Sequence, residues 1–195
     1  MGAGREKRKL PVRKKIRRGW GGRGKKGKSR NFSILAANSN GLRGKLDSLK
    51  QNINHFSPSC VLVQETKLRN KGSLKLKGYQ LFELTRQGMG GGLLTAIDEN
   101  LCPVLVFAGN EAAEILVVQA QVGKLKIRIF NCYGPQETSS KDDILHFWQE
   151  VEKQIILAKD EGCGIVMECD ANAKLGCDII MNDPNDMSSK WTNTL

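Results

Sequence analysis

The chain has 195 residues, enough for one domain with a sizeable core. Its net charge of +11 is unevenly spread: residues 1–30 hold 14 Lys and Arg against one acid, Glu6, for a net of +13, which leaves residues 31–195 at −2. No apolar run is long enough to span a membrane, no apolar secretory core stands at the N-terminus, and Glu6 sits where a myristoylation signal needs Ser or Thr, so no membrane span, secretion signal or lipid anchor is expected.

Residues 1–30 are Lys, Arg and Gly with almost no apolar side chains. Such a segment buries too little surface to offset its ordering entropy, and a disordered tail is expected. Its bases, among them Arg13, Lys14, Lys15, Arg17, Arg18, Lys25, Lys26 and Lys28, suit nucleic-acid binding or nuclear import, and equally a solvated leader. The folded domain is expected over 31–195. Residues 32–38 read as a buried strand. Leu42, Leu46, Leu49, Ile53 and Phe56 recur at helical spacing and predict an amphipathic helix over 44–56, ended by Pro58. Strands follow at 60–64, 79–84 and 92–97, the last two joined by the Gly-rich 88–91. A hairpin of 115–121 and 125–132 turns around Val122-Gly123. Ser140, with Asp143 three residues on, starts a helix with Ile144, Phe147, Trp148, Val151 and Ile155 on its apolar face, and Gly162 ends it. Residues 164–167 form another buried strand, after which the chain stays polar. Strands with two intervening helices favour an α/β fold, a sheet covered by helices.

The six cysteines, at 60, 102, 132, 163, 169 and 177, form no CxxC pair and match neither a zinc site nor a compact disulfide scaffold. They fit reduced thiols in an intracellular protein. The stretch from Gly22 to Ser29 matches the phosphate-binding P-loop letter for letter, but a basic tail precedes it and a strand follows, where a working loop needs a strand before and a helix after. Leu93 stands where a dinucleotide loop built on Gly88 would need its last glycine.

Polar groups cluster at the C-terminal ends of the buried strands, where α/β sheets place their sites. They are Asn38-Ser39-Asn40-Gly41, Gln64-Glu65-Thr66-Lys67, Tyr133-Gly134-Pro135 and Asp170-Ala171-Asn172. One carboxylate and an amide oxygen are hard ligands of the kind Mg²⁺ accepts, and such a metal polarises a phosphoryl oxygen and stabilises a leaving alkoxide. Asp170 has the chemistry to align or deprotonate a water, and Asn38, Tyr133 and Asn172 to donate to phosphate oxygens. Asn and Asp at a single strand end are ordinarily turn and cap residues; four such ends together point to phosphodiester hydrolysis.

The same residues carry a resemblance. Ile34-Leu-Ala-Ala-Asn-Ser-Asn-Gly-Leu-Arg43, Val63-Gln-Glu-Thr-Lys-Leu68, Phe130-Asn-Cys-Tyr-Gly-Pro-Gln136 and Ile165-Val-Met-Glu-Cys-Asp-Ala-Asn-Ala-Lys-Leu-Gly176 resemble, in order and spacing, four motifs of the endonuclease/exonuclease/phosphatase superfamily. The extensions of the third and fourth look like those of LINE-type (non-LTR) retrotransposon endonucleases. The resemblance runs from about residue 32 to 186. It implies an α/β sandwich of the deoxyribonuclease I-like type, two packed sheets flanked by helices, and Mg²⁺- or Mn²⁺-dependent nicking of DNA by a nuclear protein. Neither a membrane nor an obligate protein partner is implied, and a reverse transcriptase is expected downstream in the parent element. Carried over, Glu65 is the metal ligand with Asn40 in a second metal-proximal position. Asn38 orients the phosphate or the neighbouring Asp, Tyr133 binds the phosphate, and Asp170 and Asn172 position the nucleophile and stabilise the transition state.

Three departures stand out. Cys169 replaces a family Gly, Glu168 beside it is an unusual charge, and the chain stops at Leu195 before the Ser-Asp-His motif and a further Asp ligand. The fold is therefore expected to be incomplete at the C-terminus and activity weak or absent. His55 and His146 fall in expected helices and match no motif. A non-catalytic nucleic-acid-binding remnant and another phosphatase of the superfamily are the alternatives.

Overall fold

The computed structural model describes residues 31–72, 74–86 and 90–172. The basic tail with Arg13, Lys14, Lys15, Arg17, Arg18, Lys25, Lys26 and Lys28 lies outside them, as does everything past Asn172. The elements in chain order are β1 (Ile34–Asn38), a 3₁₀ turn (Arg43–Lys45), α1 (Leu46–Phe56), β2 (Cys60–Gln64), β3 (Tyr79–Leu84), β4 (Leu93–Asp98), a second 3₁₀ turn (Glu99–Leu101), β5 (Val104–Ala108), β6 (Glu114–Val122), β7 (Leu125–Tyr133), α2 (Lys141–Asp160) and β8 (Gly164–Asp170).

The strands form two four-stranded sheets, ordered β1-β2-β4-β3 and β5-β6-β7-β8. Each mixes one parallel pair, β1 with β2 or β7 with β8, with antiparallel neighbours. The central strands β2 and β4 are nearly continuous runs of apolar residues because both their faces are covered. Cys60, Leu62, Leu93 and Ile97 face Leu116, Val118, Ile127 and Ile129 of the other sheet and form the inter-sheet core. Leu49 and Ile53 of α1 pack on the outer face of the first sheet with Val61, Val63 and Leu94. Phe147 and Val151 of α2 pack on the outer face of the second with Ile115, Val117 and Phe130. The result is the expected α/β sandwich of two packed sheets flanked by helices.

Several details differ from the sequence reading. β5 is an additional strand: Val104, Leu105 and Val106 are 57, 46 and 38 % exposed on the edge of their sheet, and the register slips between Leu105 and Phe107, so the segment carries no clean alternation. β8 continues three residues beyond Met167 through Glu168, Cys169 and Asp170, because β7 supplies a hydrogen-bonding partner for each. Trp148 is 40 % exposed; the buried face of α2 is Phe147, Val151, Gln154 and Ala158. Ser140 Oγ accepts the Asp143 N–H at 3.1 Å and donates to Asp143 Oδ2 at 2.7 Å, which caps α2.

Candidate active site

The polar strand ends converge at one end of the sandwich. The parallel pairings set Asn38 beside Gln64 and Tyr133 beside Asp170. Between the sheets, the Asn38 amide donates to Glu65 Oε1 at 2.8 Å and to Asp170 Oδ2 at 2.6 Å. One –NH₂ group thus joins carboxylates separated by more than a hundred residues in sequence. The Tyr133 hydroxyl donates to the same Glu65 oxygen at 3.1 Å. Asn38 Oδ1 in turn accepts the Asn40 N–H at 2.9 Å. Asn172 turns back through its N–H to Asp170 Oδ1 at 3.3 Å and through its amide to the Gly134 carbonyl at 2.7 Å. All six residues expected at the site, Asn38, Asn40, Glu65, Tyr133, Asp170 and Asn172, belong to one hydrogen-bonded cluster.

Two devices hold this cluster. The first is a buried amide between the sheets. Asn131 accepts from Gln64 Nε2 at 2.8 Å and donates to the Leu94 carbonyl at 3.0 Å and to Thr95 Oγ1 at 3.2 Å. Gln64 and Asn131 each lie close in sequence to a site residue, Glu65 and Tyr133, so this polar link fixes the spacing of the two halves. The second is backbone strain. Among the described residues six non-glycines have a left-handed φ, and four of them are Asn40, Glu65, Lys67 and Asn172, with φ between 41 and 51°. Such conformations persist only where surrounding contacts impose them, and they gather at functional sites.

For Glu65 those contacts are a glycine strap. The Gly92 and Gly91 carbonyls accept the Thr66 and Lys67 N–H groups, both at 3.0 Å. Behind the strap lies Glu114, 4 % exposed, which accepts the Gly92 N–H at 2.5 Å and Arg86 Nη1 at 3.0 Å. A Cβ at Gly91 would run into the Glu114 carboxylate, and one at Gly92 would sit 2.7 Å from Thr66 Oγ1, so only glycine fits between the two. Burial foremost raises the Glu114 carboxyl above its ordinary range, against the Gly92 N–H and the Arg86 guanidinium. Neither Glu114 nor Arg86 was singled out from sequence.

Lys67 is a second residue whose role the sequence left unassigned. Its ammonium hydrogen-bonds Asn40 Oδ1 and lies 3.6 Å from Glu65 Oε2. A cation therefore already sits between the two oxygens expected to ligate metal, and the donor chemistry of Glu65 and Asn40 fits a hard divalent ion with further waters. Among the described residues no group of three His, Cys, Asp or Glu gathers for a metal, so this pair, one carboxylate and one amide, is the candidate. Burial, then the negative field of Glu65 and Asp170, raises the Tyr133 phenol above its ordinary value, so Tyr133 stays a hydrogen-bond donor at neutral pH.

The departures in the fourth motif have distinct consequences. Alternation along β8 sends Cys169 to the α2 side, beside Cys132, away from the site. The two thiols hydrogen-bond, which together with burial pushes Cys132 above its ordinary range. Glu168 pairs in register with Asn131, on the same face as Asp170. The close approach falls instead at Gly134, where a Cβ would come within 2.8 Å of the Ala171 carbonyl. His55 and His146 lie on α1 and α2, as expected.

No known family profile and no curated protein matches the sequence. Solved structures do match its fold. One is a 3′ phosphatase, NExo, from Neisseria, bound to a product DNA hairpin, with 19 % identity over 71 % of this chain and 57 % of that one and a TM-score of 0.52. Another is the endonuclease domain of TRAS1, a telomere-specific non-LTR retrotransposon, with 20 % identity, 73 and 61 % coverage and a TM-score of 0.52. A third is the AP endonuclease LMAP from Leishmania major, with 16 % identity, 70 and 54 % coverage and a TM-score of 0.54. The chain spans between 54 and 61 % of the length of these three. With its two mixed sheets, flanking helices and convergent strand ends, the chain shares the deoxyribonuclease I-like fold of these structures.

Proposed function

We propose that this domain hydrolyses phosphodiester bonds of DNA with a divalent cation, Mg²⁺ or Mn²⁺, in the manner of a retrotransposon endonuclease. The observation that carries the reading is the Asn38 amide bridging Glu65 and Asp170, which sets a cation-binding carboxylate and a water-activating carboxylate side by side. Glu65 and Asn40 would hold the cation, which when bound would polarise a phosphoryl oxygen and offset the charge of the leaving alkoxide. Asp170 orients a water and takes its proton as oxygen attacks phosphorus. Asn38 keeps both carboxylates aligned by donating to each. Tyr133, held as a phenol, donates to a phosphoryl oxygen as charge grows there. Lys67, poised against Glu65, supplies positive charge at the mouth of the site and would have to leave the two oxygens for a cation to take them.

DNA as the substrate is supported by the neighbours that act on it and by the basic tail, which also suits a nuclear location. Among the described residues no helix is long and apolar enough to cross a membrane. The test is conversion of supercoiled plasmid to nicked circle in Mg²⁺, with Asp170→Asn and Tyr133→Phe alongside. The proposal expects cleavage, however slow, that falls at least about 100-fold in Asp170→Asn, in line with loss of a general base. Salt-sensitive DNA binding with no cleavage above the Asp170→Asn level would replace it with the reading of a nucleic-acid-binding remnant.

A further inference from the structure

The near-neutral total of residues 31–195 conceals a second asymmetry. Residues 43–77 carry eight Lys and Arg against two acids, Asp47 and Glu65, while the rest of 31–195 nets −8. The largest basic excess of the fold, a net of +6, therefore falls in α1, the turn before it and the long connection from β2 to β3. In that connection Leu68 and Leu76 are buried in the core beneath α1, with Leu74 packed against it. Lys67, Arg69, Lys71, Lys75 and Lys77 are all exposed. The apolar side chains anchor the segment to the sheet, and the bases between and beside them face solvent. This row of bases along the chain begins at the site itself, since Lys67 touches both Asn40 and Glu65. Its backbone is pinned midway, where the Gly72 N–H bonds Glu83 Oε2 at 2.7 Å, which also commits that acid. A cleft of about 210 Å³ lined by Leu42, Arg43, Leu46, Leu68 and Leu74 runs between the row and the start of α1. Glu99 lines the neighbouring cleft together with Lys75 and Lys77.

We propose that Arg69, Lys71, Lys75 and Lys77 form a docking ridge for the phosphate backbone of duplex DNA, which they lead toward Glu65. The inference deepens the hydrolysis reading and rests on its substrate, DNA. A row of one sign beside the site raises the local concentration of a polyanion, and each phosphate it neutralises releases counterions. The ridge is separate from residues 1–30, so the folded part binds duplex without the tail.

The experiment measures binding of a fluorescent 20-base-pair duplex against salt concentration, without divalent cation, on the full chain in which the tail bases are replaced by Gln. Five proteins are compared: the original tail-bearing chain, this background, the background with Arg69, Lys71, Lys75 and Lys77 changed to Gln, a control with exposed Lys124, Lys126, Lys141 and Lys159 changed to Gln, and Glu65→Ala. Circular dichroism confirms that each is folded. The ridge variant is expected to bind at least about tenfold more weakly at low salt, with a log–log salt slope smaller by about 2 to 4, near 0.9 for each phosphate no longer neutralised. The control is expected to keep the parent slope, and Glu65→Ala to bind at least as well as its parent. An unchanged slope in the ridge variant, or an equal drop in the control, overturns the ridge and leaves the hydrolysis reading standing. Failure of the original tail-bearing chain to bind duplex at all overturns both.

Discussion

Replacing Glu114 by Ala probes the support of the catalytic carboxylate without touching the site. The change leaves the buried Gly92 N–H without an acceptor, at about 1–3 kcal/mol. It also removes a charge-assisted bond to Arg86, whose 36 % exposure lets water replace part of it, so this loss sits near the low end of about 1.5–3 kcal/mol. Together they come to about 3 kcal/mol, or roughly 6–12 °C in melting temperature for a domain of this size. Glu114→Gln separates acceptor from charge. Gln still offers an oxygen to Gly92, and it removes a carboxylate whose ionised form is disfavoured by burial. A carboxyl with a raised native pKa contributes stability that is fully present below its unfolded value of 4.5 and is lost as pH rises through the native one. Gln carries no such dependence, so Glu114→Gln should gain on the parent from pH 4.5 upward and then level off. Urea unfolding at a series of pH values reads both effects. A stability for Glu114→Ala within about 0.5 kcal/mol of the parent, or a Gln variant as unstable as Ala at pH 7, would refute the brace.

Asn131→Ala should destabilise by about 2–4 kcal/mol in urea unfolding, because it strands Gln64 Nε2 and backbone carbonyls between the sheets. Gly134→Ala should cost about 1–3 kcal/mol, because the added methyl meets the Ala171 carbonyl, and should lower nicking more than its effect on folding explains. Among the described cysteines, exposed Cys102 should react with a thiol reagent in the native protein, while buried Cys60 and Cys132, both held as thiols, should wait for unfolding.

The strand-end clusters were legible because each couples an apolar run to residues with ligand or acid–base chemistry, and parallel pairing brings such ends together. What escaped depends on register. Glu114 reads as the polar entrance to a strand; its burial follows from pairing opposite Tyr133 and from the glycines folded over it. The sequence reading ended this strand at Met167 and left Cys169 and Glu168 as departures from the fourth motif. Once β8 runs to Asp170, alternation turns Cys169 to the helix side and Asp170 to the site. Lys67 stood in the second motif, but only the left-handed turns at Glu65 and Lys67 fold its ammonium back onto Glu65.

The central claim is that Glu65 and Asn40 are ligands of a divalent cation, and titration of Mn²⁺ followed by electron paramagnetic resonance tests it most directly, since it needs no turnover. The account predicts one saturable site in the chain, abolished in Glu65→Ala, weakened in Asn40→Ala and strengthened in Lys67→Met, which clears the competing ammonium. Saturable binding untouched by Glu65→Ala, or none in the parent and in Lys67→Met, would contradict it.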